Sequence, residues 1–393
     1  MKKYDVIVIG AGPGGAHSAR LLAKNNLNVL LLEKYKISCI KFCVVGLFYY
    51  IDEIIDFNFD NVVNLISDTT IFTYQFRKPV KLKAEDVKIK MTMREDFDTL
   101  LARESVNSGV KLIDEISVKA VEDNANGCVV KTNKDVFYSD FVIGADGVYS
   151  ITARSLGLLK DRIVGWAINA EVYVSDKQLA AQENAVNVEM GIVPNGYAWI
   201  FPKKDHLSCG IGTALTKINK FKDLLYYYLD NHPNTKNYKK LILKGHPLPH
   251  SYSVELVINT ERAVLVGDAA SVVDPLSGEG IYYAMKTAEI AVKHILKKIS
   301  KNLSLDNYSD EINKTIRSDL YYSDKFARLF YKFPKLTYDL GVANPIVNKK
   351  FQDLLRGKTT YKEMYEILKP IYSNKFTQAT LKLADKIKQK FIK

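Results

Sequence analysis

The stretch Val6-Ile7-Val8-Ile9-Gly10-Ala11-Gly12-Pro13-Gly14-Gly15 decides the fold. Four consecutive apolar residues that run straight into glycines predict a short strand buried on both faces. The chain then turns into a helix running through Leu22. In that turn Gly10 permits the sharp change of direction, Gly12 lets a pyrophosphate approach the backbone, and Gly15 lets the helix pack on the strand. A second apolar run, Val29-Leu30-Leu31-Leu32, ends at Glu33, 18 residues after Gly15. The whole reads as a β-α-β unit of a parallel sheet. An anion is favoured at the helix N-terminus, where unpaired N–H groups and the helix dipole point at it, and Glu33 supplies a carboxylate for ribose hydroxyls. A dinucleotide site is the expectation.

Outward from this unit, a helix is expected over Glu95 to Asn107, stopping ahead of Gly109. The apolar strand Phe141-Val142-Ile143 enters a tight turn at Gly144-Ala145-Asp146-Gly147. From Gly165 to Leu207 the pattern is strand-like and aromatic, with a helix near Phe221 to Leu229, and this reads as an inserted lobe with its own sheet. A further strand, Ala263 to Val266, returns to Gly267-Asp268, and a helix follows from about Gly280 to Ile299. The predicted architecture is therefore α/β: a discontinuous Rossmann-type nucleotide domain (1–73, 94–160 and 255–300), an inserted α+β substrate domain (74–93 and 161–254), and a helical C-terminal region (301–393). A chain of 393 residues has room for all three.

Composition narrows the class further. Four cysteines with no C-x-x-C pair, and no histidine cluster at ligand spacing, argue against a disulfide framework or a zinc site. No uncharged apolar run approaches the roughly 18 to 20 residues of a membrane span. The chain is expected in the cytoplasm, with peripheral contact on the cytoplasmic face of a membrane left open. The net charge of +12 is concentrated at the end: residues 301–393 hold 19 Lys and Arg against 10 Asp and Glu. With no helix-turn-helix, RNP-like segment or zinc finger, nucleic acid is not the expected partner. Anionic headgroups or phosphates suit the bias as well as a solvated surface does.

Two later segments separate FAD from NAD. Gly144-Ala145-Asp146-Gly147, and Gly267-Asp268-Ala269-Ala270 followed by Asp274-Pro275 and Gly278-Glu279-Gly280, resemble the second and third fingerprints of the glutathione reductase and p-hydroxybenzoate hydroxylase class of flavoproteins. That resemblance implies FAD as cofactor, with Asp268 on the ribityl chain. It also implies that backbone N–H groups from Gly278 through Gly280 and Ile281 face the pyrimidine edge of the flavin. Arg94 matches the arginine that opens a helix and reaches the cofactor in this class, and Val118 and Asp146 are added to the expected cofactor shell. The plainer readings are a surface arginine and, for Asp146, a turn former.

In the inserted lobe, Tyr197, Trp199 and Phe201 share one strand face by their period of two and run into Pro202; seven residues later comes Gly210-Ile211-Gly212. Such a face either lines an apolar substrate channel or is ordinary core. The Tyr-x-Trp-x-Phe-Pro segment, its Gly-x-Gly and the three flavin elements together resemble the geranylgeranyl reductase family over residues 1 to about 300. Members of that family use FAD to saturate carbon-carbon double bonds of isoprenoid chains, on archaeal ether lipids or on geranylgeranyl diphosphate and chlorophyll side chains. The resemblance implies a substrate channel past Tyr197, Trp199, Phe201 and Pro202, and hydride transfer from N5 of the reduced flavin. It also places Cys43, Val44 and Gly46 beside the flavin ring, with Cys43 a candidate catalytic acid alongside Tyr197 or a water. The match is imperfect there: Phe42 stands where proline is usual, and Val44 and Val45 replace glycines. Electrons are expected from NAD(P)H or from a reduced ferredoxin-like protein, because no second G-x-G-x-x-G occurs. Two alternatives stay open on the same scaffold: a flavin monooxygenase or halogenase, and a flavin-binding protein without turnover. From Phe376 the tail reads as a basic amphipathic helix that either lies on an anionic bilayer or docks on the protein.

Overall fold

The structure, a computed structural model, describes residues 3–37, 45–83, 87–160, 162–250 and 255–373. Cys43, Val44 and the basic tail from Phe376 lie outside them. The expected first strand spans Lys3–Ile9 and sits between Val29–Leu32 and Val136–Gly144, both parallel to it, with Lys111–Ile113 beyond Val29–Leu32. The long Val136–Gly144 strand serves two neighbours on its other side. Its first half pairs antiparallel with Gly127–Thr132, and its end pairs parallel with Ala263–Leu265. Burial on both faces explains the unbroken apolar runs. On one face Val6, Val8, Leu31, Ile143 and Val264 pack under the helices Pro13–Lys24 and Ile281–Lys301. On the other, Ile7, Leu30 and Val142 meet Val121, Cys128 and Val130 of an antiparallel meander.

A second sheet orders its strands Lys240–His250, Ile163–Tyr173, Leu207–Thr213, Gly196–Pro202, Val186–Met190, Thr69–Tyr74 and Arg77–Lys83. All neighbours are antiparallel except Val186–Met190 and Thr69–Tyr74. The segment from Thr69 thus pairs with this sheet. Alternation splits the two faces: Ala170, Val172, Ala198, Ile200 and Ile211 pack on the amphipathic helix Phe221–Asn231, while Tyr197, Trp199 and Phe201 point the other way. A small third sheet (Val45–Phe48, Ile89–Thr92, Val63–Ser67) lies between the lobes: Ile89 and Met91 pack with Val186, Val188 and Phe201, and Lys203 Nζ donates to Thr92 O at 2.7 Å.

The region after Lys301 is helical through Ser373. Its helices cover the far strands of the second sheet, where Tyr338, Phe351 and Val342 pack on Phe72, Leu82 and Met190. Among the described residues, no helix is long and apolar enough to cross a membrane.

Candidate active site

The first turn is a cradle whose walls are set by contact distances. Gly10 has φ +99, and a Cβ there would lie 2.4 Å from Ala145 O; one on Gly15 would lie 1.8 Å from Gly10 O. Neither position tolerates a side chain. Gly12 differs: its backbone is extended (φ −72, ψ −177) and a Cβ would meet nothing within 4 Å. This open face over the N-terminus of the Pro13–Lys24 helix is where an anion has access to unpaired N–H groups. Glu33 is buried beside it, Oε2 accepting from Ala11 N at 2.8 Å and Oε1 from Tyr35 N at 3.1 Å. Val118 opens the Val118–Asn124 strand two residues after Ile116, whose amide donates to Glu33 O at 3.0 Å. The turn thus fits a dinucleotide: the face over Gly12 is open and the Glu33 carboxylate is held beside it.

Gly144 to Gly147 brings Asp146 alongside the cradle, but its carboxylate is occupied. It accepts from Ser150 Oγ at 2.5 Å, Thr152 N at 2.9 Å and Thr152 Oγ1 at 3.0 Å, closing the N-terminus of the short Ile151–Ser155 helix. Arg162 ties this turn to the third element, donating to Val148 O and Ala269 O. Gly267 (φ +58) is pressed against Ala284 and precedes Asp268. Arg94 and Arg162 face the Asp268 carboxylate together with His246, whose Nε2 lies 4.0 Å from Oδ2 and whose pKa burial lowers. Burial pushes the Asp268 pKa up, with His246, Arg94 and Arg162 opposing the rise. Arg94 opens the Arg94–Asn107 helix as expected and holds Asp98 in a bidentate pair at 2.9 and 2.8 Å.

The loop after Asp268 is tied together by hydrogen bonds. Asp274 is buried, accepts from Leu276 N at 2.8 Å and Tyr361 OH at 2.6 Å, and exchanges backbone bonds with Gly278 and Glu279. Gly278 (φ +75) and Gly280 then lead into the 21-residue helix at Ile281, with Gly280 3.5 Å from Asp268 Oδ1, measured from its would-be Cβ. Gly278, Gly280 and Ile281 are therefore brought to the same place as Asp268.

Each aromatic of the Tyr197, Trp199, Phe201 face lies on a glycine. A Cβ on Gly210 would sit 2.3 Å from the Trp199 ring, one on Gly46 2.6 Å from the Phe201 ring, and one on Gly278 3.5 Å from the Tyr197 hydroxyl. The Tyr197 hydroxyl donates to Ser277 O at 2.6 Å, bolting the second lobe to the Asp268 loop. Pro202 points to the opposite face and lines neither cavity described below.

Two adjoining cavities share Phe48, Tyr197, Phe201, Asp274 and Ser277 in their walls. The smaller, about 200 Å³, is bounded by Gly46, Trp199, His246, Gly278 and Glu279. The larger, about 580 Å³, runs between the second sheet and the C-terminal helices, lined by Phe72, Val188, Phe326, Phe330 and Phe351 among others, with Asp319, Arg356 and Thr360 also in its wall. Of the aromatics at 321–333, Phe326 and Phe330 line this cavity, whereas Phe333 is buried elsewhere. Glu279 and His246 were not singled out from sequence. Glu279 carried a signal, a carboxylate between two glycines at an apolar helix start; His246 carried none.

A dinucleotide cradle on a parallel sheet, a second glycine-rich loop facing it and an apolar cavity beyond define an FAD-dependent oxidoreductase. Residues 168–246 match the geranylgeranyl reductase catalytic domain. The chain is 30% identical to an uncharacterized protein of Methanosarcina barkeri, covering 95% of this chain and 97% of that one. It is 29% identical to the digeranylgeranylglycerophospholipid reductase of Thermoplasma acidophilum, over 77% and 80% of the two chains. Among solved structures it resembles a geranylgeranyl bacteriochlorophyll reductase-like protein of T. acidophilum (TM-score 0.76, 24% identity, 94% and 99% covered). The flavin-dependent brominase Bmp2 superposes as well in fold (TM-score 0.75, 17% identity, 94% and 99% covered). The chain belongs to the geranylgeranyl reductase family.

Proposed function

We propose that this protein is an FAD-dependent reductase that saturates carbon-carbon double bonds of a geranylgeranyl chain, carried on an archaeal-type ether lipid or as the diphosphate. The observation that carries the reading is the apolar cavity of about 580 Å³, which meets the Asp268–Ile281 loop at Tyr197 and Phe201. Its size lies within the roughly 300 to 1,000 Å³ of ligand pockets, and its aromatic and aliphatic wall suits a hydrocarbon chain far better than a polar ring. The fold alone does not choose between reduction and halogenation, because the brominase shares it; the apolar wall of the cavity supports reduction of a hydrocarbon chain.

FAD bound here would supply a hydride from N5 of its reduced ring. Gly12 and the helix N-terminus would hold the pyrophosphate, Glu33 the adenosine ribose, Asp268 the ribityl chain, and Gly278 to Ile281 the pyrimidine edge. Tyr197, Trp199 and Phe201 would direct the chain to the ring and keep water out. The test is anaerobic: reduce the FAD-loaded protein with dithionite, add geranylgeranyl ether lipid or geranylgeranyl diphosphate in separate runs, and follow flavin reoxidation and product mass. Reoxidation with a gain of two hydrogens per double bond is expected. Full FAD occupancy with no reoxidation by either substrate overturns the reading.

A further inference from the structure

Saturating an alkene by hydride leaves one carbon in need of a proton, and we infer that the Glu279 carboxyl supplies it. This rests on the reductase reading above. Glu279 lines the smaller cavity, where that cavity meets the larger one around Tyr197 and Ser277. Its backbone is fixed from both sides: its amide donates to Ser277 Oγ at 3.2 Å and its carbonyl accepts from Asp274 N at 2.9 Å. Its carboxyl is fixed as well, Oε1 accepting from Tyr282 N at 2.9 Å. The position is thus held at the start of the helix expected to carry the flavin's pyrimidine edge.

The surroundings keep a proton on this group near neutral pH. Burial raises its pKa to about 7, with the Asp274 carboxylate adding to the rise and the N–H groups of Tyr282 and Ile281 opposing it. The groups that face it are Asp274 on its own loop, Tyr197 from the second sheet, Tyr50 from the turn after the Val45–Phe48 strand, and Tyr282 and Tyr283 from the helix. Among the described residues no Lys, Arg or His pairs with it. An acid poised near the working pH is the most effective proton donor. Tyr197 is the poorer acid: burial pushes its pKa up, and its hydroxyl proton is committed to Ser277 O.

The step balances. The alkene gains a hydride at one carbon, with the electron pair given up by the reduced flavin, and a proton at the other from Glu279. Two C–H bonds form; the π bond, the flavin N–H and the carboxyl O–H break. Flavin is left oxidised and Glu279 ionised, and the carboxylate recovers its proton from solvent. Because reduction places negative charge on the pyrimidine edge, Glu279 should bind its proton more tightly in the reduced protein, with no substrate present.

The variant Glu279→Gln keeps an acceptor for Tyr282 N and removes the proton. Two measurements on FAD-loaded protein test the inference. In weakly buffered solution at pH 7.5 with an indicator dye, wild type is expected to take up more protons per flavin reduced than the variant. In the anaerobic reoxidation assay the variant is expected to be about 100-fold slower or worse, the usual scale of a general acid, with FAD occupancy unchanged and Glu279→Asp recovering part of the rate. Equal proton uptake in the two proteins, or reoxidation of the variant at the wild-type rate, overturns the role of Glu279 and leaves the reductase reading standing. Failure of wild type with every isoprenoid removes that reading, and this inference with it.

Discussion

The contrast between Gly12 and Gly15 gives the sharpest test of the cofactor cradle, because the same methyl group should fail for different reasons at the two positions. In Gly15→Ala the new carbon would stand 1.8 Å from a backbone carbonyl oxygen, that of Gly10, and 3.0 Å from Ala145 Cβ. No rotamer relieves such a contact; strand and helix must separate, at the upper end of the about 1 to 3 kcal/mol typical of overpacking or beyond it. In Gly12→Ala the carbon meets no protein atom within 4 Å and the backbone is one that any L-residue adopts. Alanine is a poorer N-cap than glycine by up to about 1 kcal/mol, and stiffening the unfolded chain returns about 0.4 to 1, so apoprotein stability should hardly change. The methyl instead occupies the approach to the helix N-terminus. Loss of one charge-assisted hydrogen bond to a pyrophosphate, about 1.5 to 3 kcal/mol, weakens FAD binding roughly 10- to 100-fold. Thermal unfolding of the apoproteins and FAD titration by flavin fluorescence read the two effects separately. A Gly12→Ala protein that binds FAD as wild type does, or one destabilised as much as Gly15→Ala, would refute the assignment of Gly12 to the pyrophosphate.

Two further outcomes follow from burial. His17 is buried, neither ring nitrogen has a hydrogen-bond partner among the described residues, and its pKa is lowered to about 4 by burial first and by Arg20 second. The unfolded chain, with a pKa of about 6.5, therefore binds a proton that the folded protein refuses. Stability is lost as pH falls from about 6.5 to about 4, by about 3 kcal/mol in total. His17→Leu should flatten this acid slope in thermal unfolding and leave stability at pH 7 equal or higher; an unchanged slope would show that His17 is not its source. Val188 lines the larger cavity from the strand Val186–Met190, so Val188→Trp should cut turnover of a C20 chain at least tenfold while a C10 chain and FAD occupancy are spared. Equal turnover of both chains would place the substrate elsewhere.

What was legible in the sequence was local. The strand, glycine turn and helix of residues 6–22 could be read because the pattern that makes the turn is local: an apolar run, Gly10 at positive φ, and Gly15 against the Gly10 carbonyl five residues back. The same holds for the Gly-x-Gly that follows the aromatic segment. In the antiparallel hairpin between Gly196–Pro202 and Leu207–Thr213, Trp199 stands opposite Gly210 and Tyr197 opposite Gly212, so the seven-residue gap is the hairpin's register, and Gly210 leaves room for the indole. Asp146 was harder, since sequence spacing does not show that its carboxylate accepts from Ser150 and Thr152 four to six residues on. The cavity was not legible at all. Its walls join Phe72 and Val188 to Phe330 and Phe351, residues far apart in the chain whose spacing carries no period. Glu279 shows where the boundary falls. Its motif was visible, but its chemistry comes first from burial and then from the Asp274 carboxylate five residues back, and only the assembled lobes make that carboxyl an acid near neutral pH.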